Sequence, residues 1–600
     1  MVKTGAEPPE SDLSKPHWAL RDWMAGVALF AATAGVVLWQ NAHVAVLFDL
    51  SYILNTATRI ALSQMPYRDF PLAHAPLTFL VQAAIIRLTG RVFFHHVLYV
   101  ALIGGSSTVL TWRIALGILR GRVAAAWTLA LLLAAPLTVL GIYCIVPNPE
   151  YDCDCGFWIL VAFWMFRRLD ARTSAVFGFV AGAALCVPLF FKQNMGLPFL
   201  VAALGAVLLV LAMKRLRRAQ TTDGPPETRT LLFVLAGACA TLVIAVLTLH
   251  WTAGIGNYVH WTIEYAGQRR LPGFGLMLGV YRDPSLLWTL PCILTALALV
   301  WAPHASCSFI ARRMGSKLRW ARIAAFFLLA APFLFTLASL FIYDDADTRG
   351  DSLLALWPLL LVLAAALAIA NLFRLRSEPS LRAFSPLILL AAIHGAFMSQ
   401  QLWGSTYGIW PLLALLVAEM LAFLEGFPPR KTVSRWFVPA LAALTSVTLL
   451  VCGGFYTASE ERLSYANLPD GLPVHSAFPR LAGLATPGPY LPEIDELLRY
   501  AQANIPFDDG IVLIPGEEPF YFVTGRVPRF PVPFFDPTID PYSPAEIASL
   551  VRSHNIRWLI VKRDLQTKED PTPDRVATMQ ALMAEFTLAA HLRGYDVYRR

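Results

Sequence analysis

The chain has 600 residues, 57% of them hydrophobic and 15% charged, with a formal net charge of +8 and a mean hydropathy of +0.56. This composition excludes an ordinary soluble protein and points to a polytopic α-helical membrane protein. The basic residues stand in short clusters between apolar runs, as the positive-inside rule produces, so the positive surplus does not indicate nucleic-acid binding.

A bilayer-spanning helix needs about 20 apolar residues. The first segment is too long and acidic for a signal peptide and has no cleavage signal, so the first apolar run, residues 23–40, is expected to stay as an anchor. Lys3, Lys15 and Arg21 precede it, which predicts a cytoplasmic N-terminus. The polar stretch 48–77 then lies outside. Within it, residues 49–64 read as an amphipathic helix with Leu50, Ile53, Leu54, Ala57, Ile60 and Ala61 on one face, ended by Pro66. A short interfacial helix from His74 to Gly90 and a second span over 92–119 are expected next, with Arg120 and Arg122 inside.

The third span, 123–145, leads out to VPNPEYDCDC, and the fourth, 155–166, ends inside at Arg167, Arg168 and Arg172. The fifth, 176–191, reaches Lys192, and the sixth returns to Lys214, Arg215, Arg217 and Arg218. Lys192 thus lies outside, against the positive-inside bias. That departure suggests anion binding, with snorkelling to the interface as the plain alternative. Two further outer loops, 251–284 and 344–352, contain Arg269, Arg270 and Arg349. About thirteen spans result, an odd count that places the C-terminus opposite the N-terminus; residues 72–88 are interfacial or spanning, and an even count would leave the tail in the cytoplasm. Residues 1–456 are therefore expected to form a transmembrane domain with outer loops at 43–91, 146–154, 251–284 and 344–352. Residues 457–600 read as a separate soluble α/β domain on the outer side, with strands at 510–514 and 557–562 between helical patterns.

Asp49 follows the first span, and Glu150, Asp152 and Asp154 precede the fourth, all at one membrane face. A charge at the bilayer edge is costly unless used, although each carboxylate taken singly also fits a solvated loop residue. At helical spacing the three acids of the second cluster spread around a helix, so only one or two can enter a common cavity. Glu150 and Asp152 are favoured, because Asp154 is nearest the apolar helix body. The scattered cysteines show neither zinc-site spacing nor a disulfide framework.

The run Asp49-Leu50-Ser51-Tyr52, then Pro66-Tyr67-Arg68-Asp69-Phe70, then His74-Ala75-Pro76-Leu77 resembles the first outer loop of the GT-C superfamily of polyprenyl-phosphate-dependent glycosyltransferases. More narrowly it is similar to bacterial members of the dolichyl-phosphate-mannose protein mannosyltransferase and aminoarabinose transferase group, whose soluble tail residues 520–526 and 557–562 also resemble. The resemblance implies transfer of a sugar from a lipid-phosphate carrier to a glycan, lipid or protein acceptor at the outer face of the plasma membrane, with inversion. Carried over, Asp49 matches the acidic residue that acts as general base or orients the acceptor, and residues 150–154 match the second acidic position. Leu50 stands where many relatives have a second acid, which argues against metal binding there, and Ala75 replaces a proline; a divalent cation stays open as a cofactor. A departing lipid phosphate needs cations near it, and Arg68, Lys192, Arg269, Arg270 and Arg349 are the candidates, with Tyr52 and His74 as further substrate-binding residues. Glu517, Glu518 and Arg526 in the tail read as packing or acceptor-guiding groups. A transporter or flippase would call for repeated halves with broken helices, which are not evident. A non-catalytic membrane scaffold would not need acids at both outer positions.

Overall fold

A computed structural model describes residues 18–171, 174–218, 226–267, 274–301, 318–345, 348–349, 352–375, 380–398, 406–425, 436–463, 465–535, 540–568 and 573–600. The chain begins with α1 (Leu20–Asn41), α2 (Leu47–Ala61), α3 (Leu77–Thr89), α4 (Phe93–Leu119), α5 (Ala126–Ala134), α6 (Leu137–Leu140), α7 (Tyr151–Arg168), α8 (Ala175–Cys186), α9 (Gln193–Arg218) and α10 (Pro226–Thr252). The bundle continues through Leu286–Trp301, Leu318–Ile342, Leu356–Arg374, Ser385–Phe397, Trp410–Glu425 and Val438–Ala458.

Among the described residues, 7 helices are long and apolar enough to cross a membrane, accompanied by shorter apolar helices. The expected third span is broken between α5 and α6 at Pro136, because proline lacks the N–H that would continue the ladder and clashes with the preceding turn. The fifth stops early, where α8 passes into the 3-10 turn Val187–Phe190 containing Pro188. With 13 residues, α3 is about 20 Å long, short of the hydrocarbon thickness.

The C-terminal region contains β1 (Val474–His475) paired with β2 (Ala485–Thr486), and a four-stranded sheet of β3 (Gly510–Ile514), β4 (Ile556–Lys562), β5 (Thr587–His591) and β6 (Tyr595–Arg599) in the order β3-β4-β6-β5. Strands β3 and β4 are parallel and the other pairs antiparallel. Alternate side chains of β3 serve two cores, as the two-residue period of a strand requires. Ile511 and Leu513 share a core with α2 and α3 residues such as Leu50, Ile53 and Phe79. Val512 and Ile514 pack instead with Ile547 and Val551 of the helix Pro544–Ser553.

The helix expected at 49–64 is α2, and its predicted apolar face is buried at Leu50, Ile53, Leu54, Ala57 and Ile60. Its polar face, however, is not solvated: Ser51, Asn55, Thr56, Thr58 and Arg59 are buried too. The C-terminal region covers them. Ser51 Oγ donates to the Glu517 carbonyl at 2.8 Å, Asn55 Nδ2 to the Glu518 carbonyl at 2.8 Å, and an Arg59 guanidinium nitrogen to the Phe530 carbonyl at 2.6 Å. Gln566 adds a bridge at the helix start, accepting from the Leu47 N–H at 2.6 Å and donating to the Ala45 carbonyl at 3.0 Å.

The segment that grips α2 is itself held by charge. Lys562 Nζ lies 2.7 Å from Glu517 Oε2, with both side chains 0% exposed. Burial opposes the ionisation of Glu517, yet Lys562, the Gln566 N–H and the Thr567 hydroxyl outweigh it and hold the carboxyl below its ordinary range. Its neighbour Glu518 goes the other way: burial, only partly offset by Lys562, pushes it from 4.5 to about 7. The folded state keeps that proton where the unfolded chain releases it. Stability contributed by Glu518 is therefore complete below pH 4.5 and lost as pH rises through about 7. Glu518→Gln is expected to raise the unfolding temperature at pH 8 and leave it unchanged at pH 4.5, a difference on the order of 3 kcal/mol. Thermal unfolding of the detergent-solubilised protein at both pH values checks this; an equal gain at both would show that Glu518 is not the titrating group.

Candidate active site

The link between the first span and the acidic loop brings the carboxylates together. Asn41, at the end of α1, donates to the Pro147 carbonyl at 2.8 Å, so the turn leading into α2 and the strand of loop leading into α7 leave the bundle side by side. Asp49 lies in the first turn of α2, Glu150 caps the N-terminus of α7, and Asp152 lies in its first turn. Asp49, Asp152 and Lys192 all act electrostatically on Glu150. Burial, reinforced by Asp49 and Asp152, holds the Glu150 carboxyl well above the usual carboxylate range, against the pull of Lys192.

Each carboxylate has a distinct partner. Asp49 Oδ2 accepts from the Tyr465 hydroxyl at 2.6 Å. Asp152 forms a buried ion pair with Lys192, which stands at the junction of the turn Val187–Phe190 and α9. Asp154 accepts from Thr78 Oγ1, Tyr99 OH and Tyr143 OH, each at 2.7 Å, so its oxygens serve to tie α3, α4 and α7 together. Tyr407 lies within electrostatic range of Asp49, Asp152 and Glu150. Its turn, Thr406–Gly408, can sit there because both contact positions are glycine. A Cβ on Gly156 would meet the Gly408 carbonyl oxygen at 2.5 Å, and one on Gly408 the Asp152 carbonyl oxygen at 2.7 Å.

A row of rings extends the cluster. Lys192 Nζ lies 5.1 Å from the centre of the Tyr151 ring, His74 stacks on Tyr151 at 4.3 Å, and the Tyr52 hydroxyl and His74 Nδ1 are hydrogen-bonded at 3.0 Å. His74, Tyr151, Lys192, Gln193 and Asn194 form the polar end of a cavity of about 500 Å³. Its remaining walls are apolar, among them Leu197, Leu242, Val246, Ile263 and Met398. Val246 is 49% and Ile263 59% exposed, so the apolar end opens on the outer surface of the bundle.

Among the residues predicted for the site, Asp49, Glu150, Asp152 and Lys192 converge, and Tyr52 and His74 line their flank. Arg68 does not join them. Its guanidinium is bonded to Asp69 at 2.8 Å and its side chain is largely exposed, because adjacent residues at the surface turn reach each other without crossing to the cluster. Arg349 donates to the Tyr343 carbonyl at 2.5 Å within its own loop. Arg269 and Arg270 lie outside the described residues. Two side chains at the site were not foreseen: Tyr407 and Tyr465. Tyr465 is 416 positions from Asp49. Its one sequence signal is its place just beyond the last apolar run, as Asp49 lies just beyond the first.

By sequence the chain matches no family model and none of the curated proteins. Among solved structures it is similar to ArnT from Cupriavidus metallidurans bound to undecaprenyl phosphate, with 14% identity, a TM-score of 0.42, and 97% of this chain and 98% of that one covered. It is also similar to the archaeal oligosaccharyltransferase AglB from Archaeoglobus fulgidus in complex with an inhibitory peptide and a dolichol-phosphate, with 10% identity, a TM-score of 0.45, and coverage of 91% and 70%. The Archaeoglobus fulgidus oligosaccharyltransferase in complex with Zn and sulfate matches with 11% identity, a TM-score of 0.46, and coverage of 89% and 68%.

The described residues contain no group of three or more His, Cys, Asp or Glu side chains able to hold a metal ion. Lys192 pairs with Asp152 and the Tyr465 hydroxyl with Asp49.

Proposed function

We propose that the chain is an integral-membrane glycosyltransferase that moves a sugar from a polyprenyl-phosphate carrier to an acceptor hydroxyl of a glycan, lipid or protein at the outer face of the plasma membrane, with inversion. The N-terminus is cytoplasmic in this reading, and residues 457–600 form the outer α/β domain that covers α2. The observation that carries it is the buried Lys192–Asp152 pair, set between the carboxylates and a cavity with a polar end and an apolar, outward-opening remainder. An anionic head on a hydrocarbon tail matches both ends of that cavity. Lys192 meets the phosphate, and the walls contributed by α9 and α10 meet the tail.

In this mechanism the acceptor oxygen attacks the anomeric carbon while the bond from that carbon to the phosphate oxygen breaks. The acceptor proton passes to Asp49 as general base, and the bonding electron pair leaves with the lipid phosphate. Lys192 stabilises the charge that grows on the phosphate. Tyr465 orients the Asp49 carboxylate through its 2.6 Å hydrogen bond. Burial and the neighbouring Asp49 and Asp152 disfavour the charged form of Glu150, which makes it a less ready base than Asp49.

The test is to supply the nanodisc-embedded protein with polyprenyl-phosphate-linked sugars and measure released polyprenyl phosphate by mass spectrometry and the product anomer by NMR. Failure to release it with any lipid-linked sugar, or retention of the donor's anomeric configuration, overturns the corresponding part of the proposal. Val246→Trp, which fills the apolar wall, is expected to raise KM for the lipid donor about tenfold, or about 1.4 kcal/mol, with kcat within about twofold, since the reacting end of the site is untouched. An unchanged KM would remove the cavity from donor binding.

A further inference from the structure

One side chain joins three segments at the polar end of the cavity. Gln193, in the first turn of α9, donates from Nε2 to the Ala73 carbonyl at 3.2 Å and accepts at Oε1 from the Ala75 N–H at 3.2 Å. Residues 71–76 form neither helix nor strand, so their main-chain groups have no ladder of their own to join. The Gln193 amide stands in for the peptide group of a neighbouring strand, bonding the backbone on both sides of His74. The other Nε2 hydrogen goes to the Thr262 carbonyl at 3.3 Å, in the π-helical turn His260–Tyr265. Exchanging the amide's N and O would set an oxygen against the carbonyl oxygens of Ala73 and Thr262, so its orientation is fixed by its partners.

The backbone held in this way carries His74. The His74 carbonyl accepts from the Tyr67 hydroxyl at 2.8 Å, its Nδ1 is bonded to the Tyr52 hydroxyl, and its ring stacks on Tyr151. Lys192, whose ammonium lies near the same Tyr151 ring, immediately precedes Gln193. Its own backbone is anchored on both sides, with the Lys192 N–H donating to the Pro188 carbonyl at 3.1 Å and the Lys192 carbonyl accepting from the Gly196 N–H at 2.8 Å. Two adjacent residues therefore place the two nitrogen-bearing groups of the polar end: Lys192 presents its own ammonium, and Gln193 sets the imidazole through the main chain. We infer that Gln193 is a positioning residue for the lipid-phosphate donor, its amide holding His74 at a fixed spacing from Lys192. The inference rests on the glycosyltransferase reading for the identity of the ligand. The role calls for a side chain of this length that both donates and accepts. Methionine matches the length and does neither, and glutamate keeps the acceptor while losing both donations.

The test combines hydrogen exchange and steady-state kinetics on the full-length protein in nanodiscs. In Gln193→Met, the Ala75 amide and residues 258–265 are expected to exchange about tenfold faster, because the bonds that hold these segments together are gone. KM for the lipid donor should rise about tenfold with kcat within about twofold, as expected for lost donor binding. His74→Ala should raise KM by a similar factor. Adding Gln193→Met to it should change KM by less than about twofold, since a residue that acts through His74 then has nothing left to position. Additive rises in the double variant, or a KM unchanged in Gln193→Met, overturn the inference. Unchanged exchange at Ala75 overturns it as well, and this measurement needs no turnover. A parent protein that transfers no sugar overturns the glycosyltransferase reading instead. If Gln193→Met fails to fold, exchange in Gln193→Glu decides: faster exchange over residues 258–265 supports the clamp, and no change overturns it.

Discussion

Replacing Asp49 by asparagine is expected to lower kcat for sugar transfer by about 10² to 10⁴, the range a positioned general base supplies, while KM for the lipid donor and the unfolding temperature stay unchanged. The amide is nearly isosteric with the carboxylate and still offers an oxygen to the Tyr465 hydroxyl, which reaches Asp49 at 2.6 Å. Geometry is therefore preserved and only basicity is lost. Tyr465→Phe removes the orienting hydrogen bond but keeps the base, so its loss should be smaller, about tenfold. The pair of variants separates acting on the proton from holding the group that does. Steady-state kinetics in nanodiscs alongside thermal unfolding measure all of these quantities. An Asp49→Asn protein that retains kcat within about threefold of the parent assigns the base elsewhere, with Glu150 the next candidate by position.

The second large effect is expected at Lys192. Lys192→Met keeps the length of the side chain and removes its charge, leaving Asp152 buried without its ion-pair partner. Breaking one side of a buried pair costs about 3–5 kcal/mol, because the remaining charge is uncompensated. The same change takes away the cation at the polar end of the cavity, so donor turnover should be lost as well. Lys192→Met combined with Asp152→Asn tells the two consequences apart. The double variant should recover most of the stability, since no charge is left stranded, while remaining unable to turn over a lipid-phosphate donor. A double variant with parental activity would show that Lys192 serves the fold alone.

The loop of α2 shows how far the pattern of residues carried and where it stopped. The 3.6-residue recurrence of Leu50, Ile53, Leu54, Ala57 and Ile60 marked a helix and the face it buries, and both are present. The same recurrence left the other face, with Ser51, Asn55 and Arg59, without assigned partners, and that face is buried as well. Their partners are the main-chain carbonyls of Glu517, Glu518 and Phe530, more than 450 residues away, and a buried polar group whose hydrogen bonds are met by another segment looks the same in sequence as one met by water. Two of the expected spans differ from the helices observed for a related reason. Hydropathy reports whether a run is apolar, whereas Pro136 and Pro188 decide whether it continues as one helix.

For the candidate site, chain position and charge were enough to single out Asp49, Glu150, Asp152 and Lys192, because a carboxylate or an ammonium at the edge of an apolar run is conspicuous wherever the chain goes next. They set Lys192 above Arg68, and packing adds that Arg68 pairs with Asp69 while Lys192 pairs with Asp152. Among 18 tyrosines in the chain, residue type does not set 407 and 465 apart, and Tyr465 is marked only by its place beyond the last apolar run.

By itself, then, the sequence determined the membrane class, the amphipathic α2 and the acidic positions at the ends of apolar runs, all of which follow from hydrophobicity and periodicity within a single segment. The tertiary structure decided which charges neutralise one another, that the polar face of α2 is roofed by the C-terminal region, and that Tyr465 reaches Asp49. Those are contacts between segments distant in the chain, and their partners are chosen by the packing of the whole bundle, which local side-chain pattern does not encode.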